Sequence, residues 1–348
     1  MTGRRGITPE LSVVIPTRRR IDSLLRLLSA LDEQDHPREL VEVLVVADGD
    51  PSTAKALAGR ADLRVLEQTH RGPAAARNLG ISRARGEVVV FLDDDVVPAR
   101  CCIARHAEAH ASGRDLAVIG PMLPPREGVR VSPWVRWEAQ TLVRQYTDME
   151  AGRWSATPRQ FYTGNASVRR EHLVRAGGFD PSLRRAEDVE LGLRLRDMGV
   201  DFEYHPEAAV HHEPTRRYRA WVSAAREYGR VDGCMAVEMG RREVLGWAAS
   251  EFHSRHPLSR IAVRAGLRHP RLSSALPWVA VPVATAALRC GLPRVSDGLC
   301  GGVFNVLYWQ GVADRVGRGS AESLISSGTA AGHMHPAAAV EDRSTMAT

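Results

Sequence analysis

The sequence predicts an α/β protein whose core is a mainly parallel sheet and whose C-terminal region is helical. Between residues 11 and 95, short apolar segments alternate with longer segments of helical periodicity, which is the pattern of parallel sheets. The apolar segments lack alternating polar residues, as expected of strands that are covered on both faces. From residue 215 the sequence becomes helical in pattern and rich in arginine.

The elements of the first part follow from local patterns. Runs rich in β-branched residues predict strands over 11–16, 41–47, 63–66 and 87–92. Helical spacing of apolar residues, together with start signals such as Pro51, predicts helices over 22–31, 51–60 and 74–84.

After residue 115 the pattern is less regular. We predict strand segments over 118–120, 161–169 and 200–210 and a helix over 186–198. Residues 215–265 are predicted to be helical, and two uncharged stretches follow at 272–288 and 298–313. The tail from Gly317 is rich in Gly, Ser and Ala and is predicted to be disordered.

Composition places the chain among ordinary globular proteins. Its 348 residues are 44% hydrophobic and 25% charged, which excludes collagen-like, disulfide-scaffold and wholly disordered chains. The formal net charge is +6, and Lys55 is the only lysine among the 47 basic residues. Because this charge is spread over the whole chain, we predict no nucleic-acid partner.

The cysteines and the chain start favour a cytoplasmic location. The five cysteines are odd in number and form no CxxC pair, so we expect reduced thiols. Residues 1–10 carry no apolar stretch and do not resemble a signal peptide. The stretches 272–288 and 298–313 fall short of the roughly 20 residues that span a bilayer, which favours buried helices over docking at the inner face of the membrane.

Polar residues follow the predicted strands where each strand ends. Thr17 and Arg18 follow the first strand, Asp48 ends the second, and the triplet Asp93–Asp95 follows the strand over 87–92. Ligands of open α/β sheets bind outside the carboxyl ends of the strands. We therefore predict the functional site at this edge.

The aspartate triplet suits a metal ion. Asp93 and Asp95 stand at positions i and i+2 after a buried strand, so both carboxylates can reach one hard cation. Oxygen ligands of this kind favour Mg²⁺ or Mn²⁺. An acidic turn that caps a helix is the alternative for the triplet taken alone.

Three further signals are weak when each is taken alone. The segment RGPAAARN (71–78) suits a helix start that binds an anion. Glu187 and Asp188 suit the first turn of a helix, where they meet the helix dipole favourably. His211 and His212 follow a strand and fit a surface or core position as well as a ligand position.

Together these segments resemble family 2 of the inverting glycosyltransferases, which have the GT-A fold, a Rossmann-like nucleotide-diphospho-sugar transferase core. The matching segments occur in the family's order between Leu11 and His212: LSVVIPTRRR (11–20), VEVLVVADGD (41–50), GPAAARNLGISRARGEVVVFLDDD (72–95), TGNASVRR (163–170), GGFDPSL (177–183), AEDVELGLRLRDMG (186–199) and AAVHH (208–212).

The resemblance implies a nucleotide-sugar donor, with a UDP-sugar expected, and a hydroxyl acceptor on a glycan, a lipid-linked carrier or a small metabolite. Thr17 and Asp48 would contact the uracil, and Arg77 would lie near the phosphates. The full set of implied substrate contacts is Pro16, Thr17, Arg18, Asp48, Gly72, Arg77, Asn78, Asp93, Asp94, Gly164, Asn165 and Glu187. Of these, Gly164 and Asn165 would line the pocket for the sugar and the acceptor.

The resemblance also implies metal ligands and a catalytic base. Asp93 and Asp95 match the ends of the DxD motif, and His212 matches a later metal-binding histidine. Asp95 would bind Mn²⁺ or Mg²⁺ directly, while Asp93 would bind the ion or the ribose. Asp188 matches the base that takes a proton from the acceptor hydroxyl during a single displacement with inversion.

The implied domain organisation has five parts. They are an N-terminal extension (1–10), a nucleotide-sugar-binding half (11–115), an acceptor-binding half (116–214), a helical region open to membrane or partner contact (215–316) and the tail (317–348). Two departures concern the base preference of the donor site. The segment Ala47–Asp50 reads ADGD where the family commonly has DDGS, and Arg18 replaces the usual aromatic residue.

Two other functions fit parts of the sequence. The segment VVVFLDDDVV (88–97) fits a haloacid-dehalogenase-like phosphatase with Asp93 as nucleophile, but Lys55 precedes it where that chemistry wants a downstream lysine. A non-enzymatic arginine-rich anion-binding module would instead cluster its arginines on one face. Four aromatic residues fit either sugar stacking or core packing: Trp134, Trp137, Trp154 and Tyr162. The donor sugar, the acceptor and the oligomeric state stay open.

Overall fold

The computed structural model describes residues 9–326 and divides the chain into two compact units. Within these residues, the first unit comprises 9–129 together with 142–183 and 187–214. The second comprises 130–141, 184–186 and 215–326. The further division of the first unit into donor and acceptor halves stays a prediction.

Within the described residues, the first unit contains ten strands. They are β1 (Leu11–Thr17), β2 (Val41–Asp48), β3 (Leu63–Gln68), β4 (Val88–Leu92), β5 (Val96–Pro98), β6 (Leu116–Ile119), β7 (Met122–Leu123), β8 (Asn165–Arg169), β9 (Asp201–Tyr204) and β10 (Val210–His212). Seven form one sheet in the order β3-β2-β1-β4-β8-β6-β9, in which only β8 runs antiparallel to its neighbours. This confirms the mainly parallel α/β sheet. A second sheet, β5-β10-β7, was not predicted.

Helices pack on the main sheet because its strands are apolar on both faces. Along β1, Leu11, Val13 and Ile15 join one buried cluster, and Val14 joins another. The helices of this part of the chain are α1 (Ile21–Asp32), α2 (Pro51–Ala56), α3 (Pro73–Arg83), α4 (Cys102–His110), α5 (Pro133–Glu150), α6 (Arg170–Arg175) and α7 (Glu187–Asp197). Two short 3₁₀ turns, at Arg38–Leu40 and Pro158–Gln160, complete the element order.

The second unit is helical, as predicted. Its helices are α8 (Tyr218–Val237), α9 (Glu243–Ser254), α10 (Pro257–Arg268), α11 (Pro270–Arg289), α12 (Pro293–Val316) and α13 (Arg318–Ser326). Helices α8 and α12 approach closely because both have glycine at the crossing. A Cβ atom at Gly229 would lie 1.9 Å from the Tyr308 carbonyl oxygen, and one at Gly311 would lie 1.9 Å from that of Arg226.

The predicted disorder from Gly317 is wrong for Arg318–Ser326. Residues Ala321 and Ile325, four positions apart on one face of α13, are fully buried, so a tertiary contact stabilises a helix that composition alone does not favour. Residues 327–348 of the predicted tail lie outside the described residues, as do residues 1–8 of the predicted extension. Between residues 9 and 326, no helix is both long and apolar enough to cross a membrane.

Two of the tryptophans considered for sugar stacking belong to the core of the second unit. The Trp137 ring lies edge-on to the Trp221 ring at 6.2 Å, and the Trp134 ring stacks on Trp221 at the same centroid distance. Trp137 is 6% exposed. Core packing is therefore the outcome for this pair.

A buried polar network joins α4 to β8. His106 Nε2 lies 3.0 Å from Asn165 Oδ1, and His106 Nδ1 lies 2.8 Å from Ser167 Oγ. His110 Nε2 lies 2.9 Å from the same hydroxyl. Burial lowers the pKa of His106 to about 4 and that of His110 to about 3, so both imidazoles are neutral at physiological pH.

We expect this network to make the fold sensitive to acid. Below about pH 6.5 these two histidines bind protons in the unfolded chain but stay neutral in the folded one. As the pH falls, each histidine therefore lowers the free energy of unfolding by up to about 1.4 kcal/mol per pH unit, until the pH reaches its folded-state pKa. Urea unfolding between about pH 7.5 and pH 5 measures this slope. The His110→Gln variant should have a shallower slope, whereas the control His269→Gln, at an exposed position, should keep it. Equal slopes in both variants would contradict the assignment.

Candidate active site

The carboxyl edge of the main sheet brings the predicted polar residues together. Strand β1 lies between β2 and β4 in register, with Thr17 beside Ala47 and Val14 beside Phe91. The triplet after β4 therefore comes level with the end of β1. The Thr17 hydroxyl donates to Asp94 Oδ2 at 2.8 Å, which ties the two strand ends to each other. Pro16, one residue earlier in β1, is half-buried.

Arg20 neutralises two aspartates of the triplet. Its Nη1 atom donates to Asp94 Oδ1 at 3.0 Å and to Asp95 Oδ2 at 2.6 Å. Burial, assisted by the neighbouring Asp95, raises the pKa of Asp94 to about 6 although Arg20 and Thr17 oppose that shift. Sequence reasoning missed Arg20. The available signal was its place in a run of three arginines directly after a strand that ends at the site.

Asp95 and His212 form the part of the site that fits a divalent cation. Strand β10 runs antiparallel to β5 with His212 opposite Val96, which places the imidazole beside the triplet. His212 Nε2 and Asp95 Oδ1 are 3.4 Å apart. Two ligands that each bind one ion at about 2.1 Å lie about 3 Å from each other, so this spacing suits a shared Mg²⁺ or Mn²⁺.

Asp93, the third predicted ligand, contacts an arginine instead. Arg77 Nη2 donates to Asp93 Oδ1 at 2.8 Å. Among residues 9–326, the only trio of His, Cys, Asp or Glu whose ligand atoms all lie within 4.8 Å of one another is Asp115, Glu171 and His172. Asp115 precedes β6, and Glu171 and His172 follow β8, which runs antiparallel to β6. The trio therefore lies at the edge of the sheet opposite to the aspartate triplet. The structure thus brings together two of the three predicted ligands.

Arg77 links the triplet to the start of α7. It is 5% exposed, its Nη1 atom donates to Glu187 Oε1 at 2.8 Å, and its guanidinium carbon lies 5.6 Å from the centre of the Phe179 ring. Burial would lower the pKa of Arg77, but Asp93, Glu187 and Asp188 outweigh it and keep the group charged. Both terminal nitrogens are therefore committed to carboxylates.

Asp188 lies in the first turn of α7, partly buried beside Glu187. Its Oδ1 atom accepts from the Val189 N–H at 2.9 Å, and the Thr163 N–H also donates to the carboxylate. Burial, followed by repulsion from Glu187, raises the pKa of Asp188 to about 7, although Arg77 and the two N–H groups oppose the shift. A carboxylate with such a pKa can accept a proton at neutral pH and release it again.

Asp48 organises the loop before α3. Its two oxygens accept hydrogen bonds at 2.8–2.9 Å from Gln68 Nε2 and from the backbone N–H groups of Arg71 and Gly72, and the His70 ring lies 2.7 Å away. Burial opposes ionisation of Asp48, but these donors outweigh it and hold its pKa below the usual value. Arg18, Arg19 and Arg71 are exposed at this edge, and so is the His70 ring.

Two glycines allow the backbone to follow its course here. Gly72 has a φ of 91°, in the left-handed region, where an L side chain is strained. A Cβ atom at Gly164 would lie 2.6 Å from the terminal carbon of Met122 and 3.1 Å from Asp93 Oδ2. Gly164 therefore lets the chain pass beside the triplet.

The acidic departure at residue 50 has a structural use. Asp50 Oδ2 accepts from the Thr53 hydroxyl at 2.7 Å and from the Arg19 N–H at 2.7 Å, and Ser52 also donates to this carboxylate. Hydrogen bonds from Ser52 and Thr53 lower the pKa of Asp50 to about 2. Arg19 has a φ of 55°, so Asp50 holds a strained residue in the loop after β1.

Two of the predicted substrate contacts make hydrogen bonds within the fold. Asn165 is fully buried and its amide donates to the carbonyl of Ala208 at 2.7 Å, while its contact with the sugar pocket stays a prediction. It had the expected position at the start of β8, but its side chain enters the core network with His106. The Asn78 amide accepts from the Phe179 N–H and donates to the Phe179 carbonyl, both at 2.8 Å, and so fixes the loop before α7.

Comparison with known proteins agrees with this architecture. Residues 12–176 match the model of glycosyl transferase family 2. The pre-mycofactocin glycosyltransferase of Mycobacterium tuberculosis is 30% identical over 234 residues, which cover 66% of this chain and 48% of that protein. The validoxylamine A glucosyltransferase of Streptomyces hygroscopicus is 30% identical over 229 residues, which cover 58% of this chain and 54% of that protein. The chain thus spans about half the length of these relatives.

A solved structure shares the fold. The mannosyltransferase PcManGT of Pyrobaculum calidifontis, determined in complex with GDP-Man and Mn²⁺, superposes with a TM-score of 0.52 at 22% identity and covers 86% of this chain and 87% of its own. The phosphatase alternative for Asp93 loses its support, because the triplet lies in a glycosyltransferase domain. Residues 12–176 form a family 2 glycosyltransferase domain, and the sheet unit of the chain has the GT-A fold.

Proposed function

We propose that this protein transfers a sugar from a nucleotide-diphosphate donor, a UDP-sugar, to an acceptor hydroxyl with inversion and with the help of a divalent cation. The main support for this proposal is the position of Asp188 in the first turn of α7 and the raised pKa of its carboxyl group. Its pKa is raised to about 7, and Arg77 connects the adjacent Glu187 to Asp93. The proposed proton acceptor, Asp188, thus follows a residue that Arg77 connects to Asp93, the first carboxylate of the triplet that suits a metal ion and a diphosphate.

The proposed reaction is a single displacement. Asp188 takes the proton of the acceptor hydroxyl, and the hydroxyl oxygen forms a bond to the anomeric carbon. The bond from that carbon to the diphosphate oxygen breaks on the opposite side, and the nucleoside diphosphate leaves with the electron pair. A positioned general base of this kind contributes roughly 10²–10⁴-fold in rate.

Asp95 and His212 would hold the cation, which supplies positive charge to the departing diphosphate. Their 3.4 Å separation and their oxygen and imidazole donors support Mn²⁺ or Mg²⁺ at this position. Arg20 now neutralises the second oxygen of Asp95. Arg18, Arg19 and Arg71 are exposed at the same edge and offer further positive charge to the phosphates.

The proposal names the base of the donor but only the chemical group of the acceptor. Family resemblance supports uracil, whereas the neighbouring mannosyltransferase binds GDP-Man, so the fold accommodates more than one base. The two relatives are named for different acceptors, pre-mycofactocin and validoxylamine A. We therefore propose the acceptor only as a hydroxyl group.

Thermal unfolding with UDP, TDP, GDP or ADP, each with and without Mn²⁺, tests the donor site. We expect UDP with Mn²⁺ to raise the midpoint, since a ligand at about 100 times its dissociation constant adds roughly 2.7 kcal/mol of stability. The Asp95→Asn variant should lose the Mn²⁺-dependent part of this shift. The matched control Asp35→Asn, at an exposed position before β2, should keep it.

Each other result has a defined meaning. A shift with GDP alone would replace uracil by guanine and keep the transferase proposal. No shift with any nucleotide would contradict a donor site at this edge, and hydrolysis of sugar phosphates by the purified chain would then favour phosphatase chemistry.

A further inference from the structure

Helix α11 presents two different faces within the second unit. One face is buried among the residues of a helical core cluster: Ala280, Val281 and Ala284 together with Trp221, Cys300 and Val303. The other face is exposed and largely apolar. Trp278 is 62% exposed, Val279 66% and Val283 50%.

The exposed face forms a regular stripe. Its members recur every three or four residues, the spacing of one side of a helix: Ser274, Ala275, Trp278, Val279, Pro282, Val283 and Ala286. Arginines stand at both ends of the stripe, at Arg271 and Arg289, and both are exposed. The turn into α12 adds Leu292 and Val295, which are 53% and 50% exposed.

The surrounding segment is positive without compensation. Residues 252–296 contain seven arginines and no Asp or Glu. Four of these arginines are exposed and form no ion pair with the part of the chain that the structure describes: Arg268, Arg271, Arg289 and Arg294. A second copy of the same face would repel this charge, whereas an anionic surface would attract it.

We propose that the stripe on α11 docks the protein on an anionic lipid bilayer. Apolar side chains with a tryptophan enter the headgroup region, and arginines at the rim bind lipid phosphates and carboxylates. The Trp278 ring is held edge-on to Tyr218 at 5.8 Å, so this anchor is ordered before it meets the membrane. The mode is interfacial, because no helix in residues 9–326 is able to span the bilayer.

Sedimentation with vesicles tests the proposal. Two preparations are compared: phosphatidylcholine alone, and phosphatidylcholine mixed with phosphatidylglycerol. We expect at least about tenfold stronger binding to the anionic vesicles, and we expect this preference to weaken with added salt because the exposed charges become screened. Absence of binding to the anionic vesicles would overturn the proposal.

Variants separate the contributions of the stripe and its rim. The triple substitution Trp278→Ser, Val279→Ser and Val283→Ser should abolish vesicle binding while the unfolding midpoint stays near that of the parent chain. The control Val174→Ser with Val237→Ser removes apolar side chains that are 57% and 62% exposed elsewhere and should bind normally. The pair Arg271→Gln and Arg289→Gln should lose mainly the preference for anionic lipid.

Two outcomes favour other occupants of this face. Undiminished binding by the triple-serine variant would place the lipid contact elsewhere and overturn the proposal. A parent chain that is dimeric by light scattering, becomes monomeric with the triple substitution and ignores vesicles would identify the stripe as a self-association surface. These readouts are independent of sugar transfer, so they stand apart from the proposed activity.

Discussion

The Asp188→Asn variant is expected to lose sugar transfer by roughly 10²–10⁴-fold while it still binds the nucleotide, because the amide keeps the shape of the carboxylate but accepts no proton. Transfer rate and the nucleotide-induced shift in unfolding midpoint are measured on the same preparation. The control Asp197→Asn changes an exposed carboxylate at the end of the same helix and should retain activity. Transfer at the parental rate by Asp188→Asn would remove Asp188 from the base role.

The pH dependence of the parent enzyme should agree with this role. The pKa of Asp188 is raised to about 7, so the active, ionised fraction falls about tenfold for each pH unit below that value. The transfer rate should therefore rise with pH and level off above about pH 7. Burial and the repulsion from Glu187, which raise the pKa of Asp188, also lower the stability of the folded state as the pH rises from about 4 to 7. The reason is that Asp188 loses its proton at a lower pH in the unfolded chain than in the folded one. We accordingly expect Asp188→Asn to unfold at a midpoint no lower than that of the parent at neutral pH.

The second large effect concerns Arg77. Replacing it by methionine should destabilise the fold by about 3–5 kcal/mol, because Asp93 and Glu187 would lose their buried counter-charge. Both ion pairs are 2.8 Å long, and Arg77 is 5% exposed. Urea unfolding measures the difference. The control Arg83→Met lies on the same helix at an exposed position and should change stability by less than about 1 kcal/mol.

A double substitution distinguishes this ion-pair relay from a loss of packing. Adding Glu187→Gln to Arg77→Met removes one of the two uncompensated charges, so part of the lost stability should return. If the double variant is less stable than Arg77→Met alone, the packing of the arginine stem against Phe179 contributes more than its charge.

Local patterns predicted the main sheet and the edge where the site lies. The strand at 11–16 was recognised from six residues, and the structure extends it by one residue, to Thr17. The apolar run over 87–92 predicts a strand that ends at Leu92, so the residues that follow it, Asp93–Asp95, are expected at the carboxyl edge of the sheet. Local patterns did not predict the second sheet, since β5, β7 and β10 contain only two or three residues each.

By itself, the sequence determined the order of the main strands and helices between residues 11 and 95, the position of the carboxylates and the family resemblance, because these depend on residues that are close along the chain or on motifs in a fixed order. Only the tertiary structure decided the partners of those residues. Arg77 meets Glu187 from 110 positions away, and Arg20 meets Asp94 from 74 positions away. Asn165 turned into the core, and α11 left one apolar face exposed. Side-chain direction and burial depend on which distant elements pack nearby, and no local pattern records that packing.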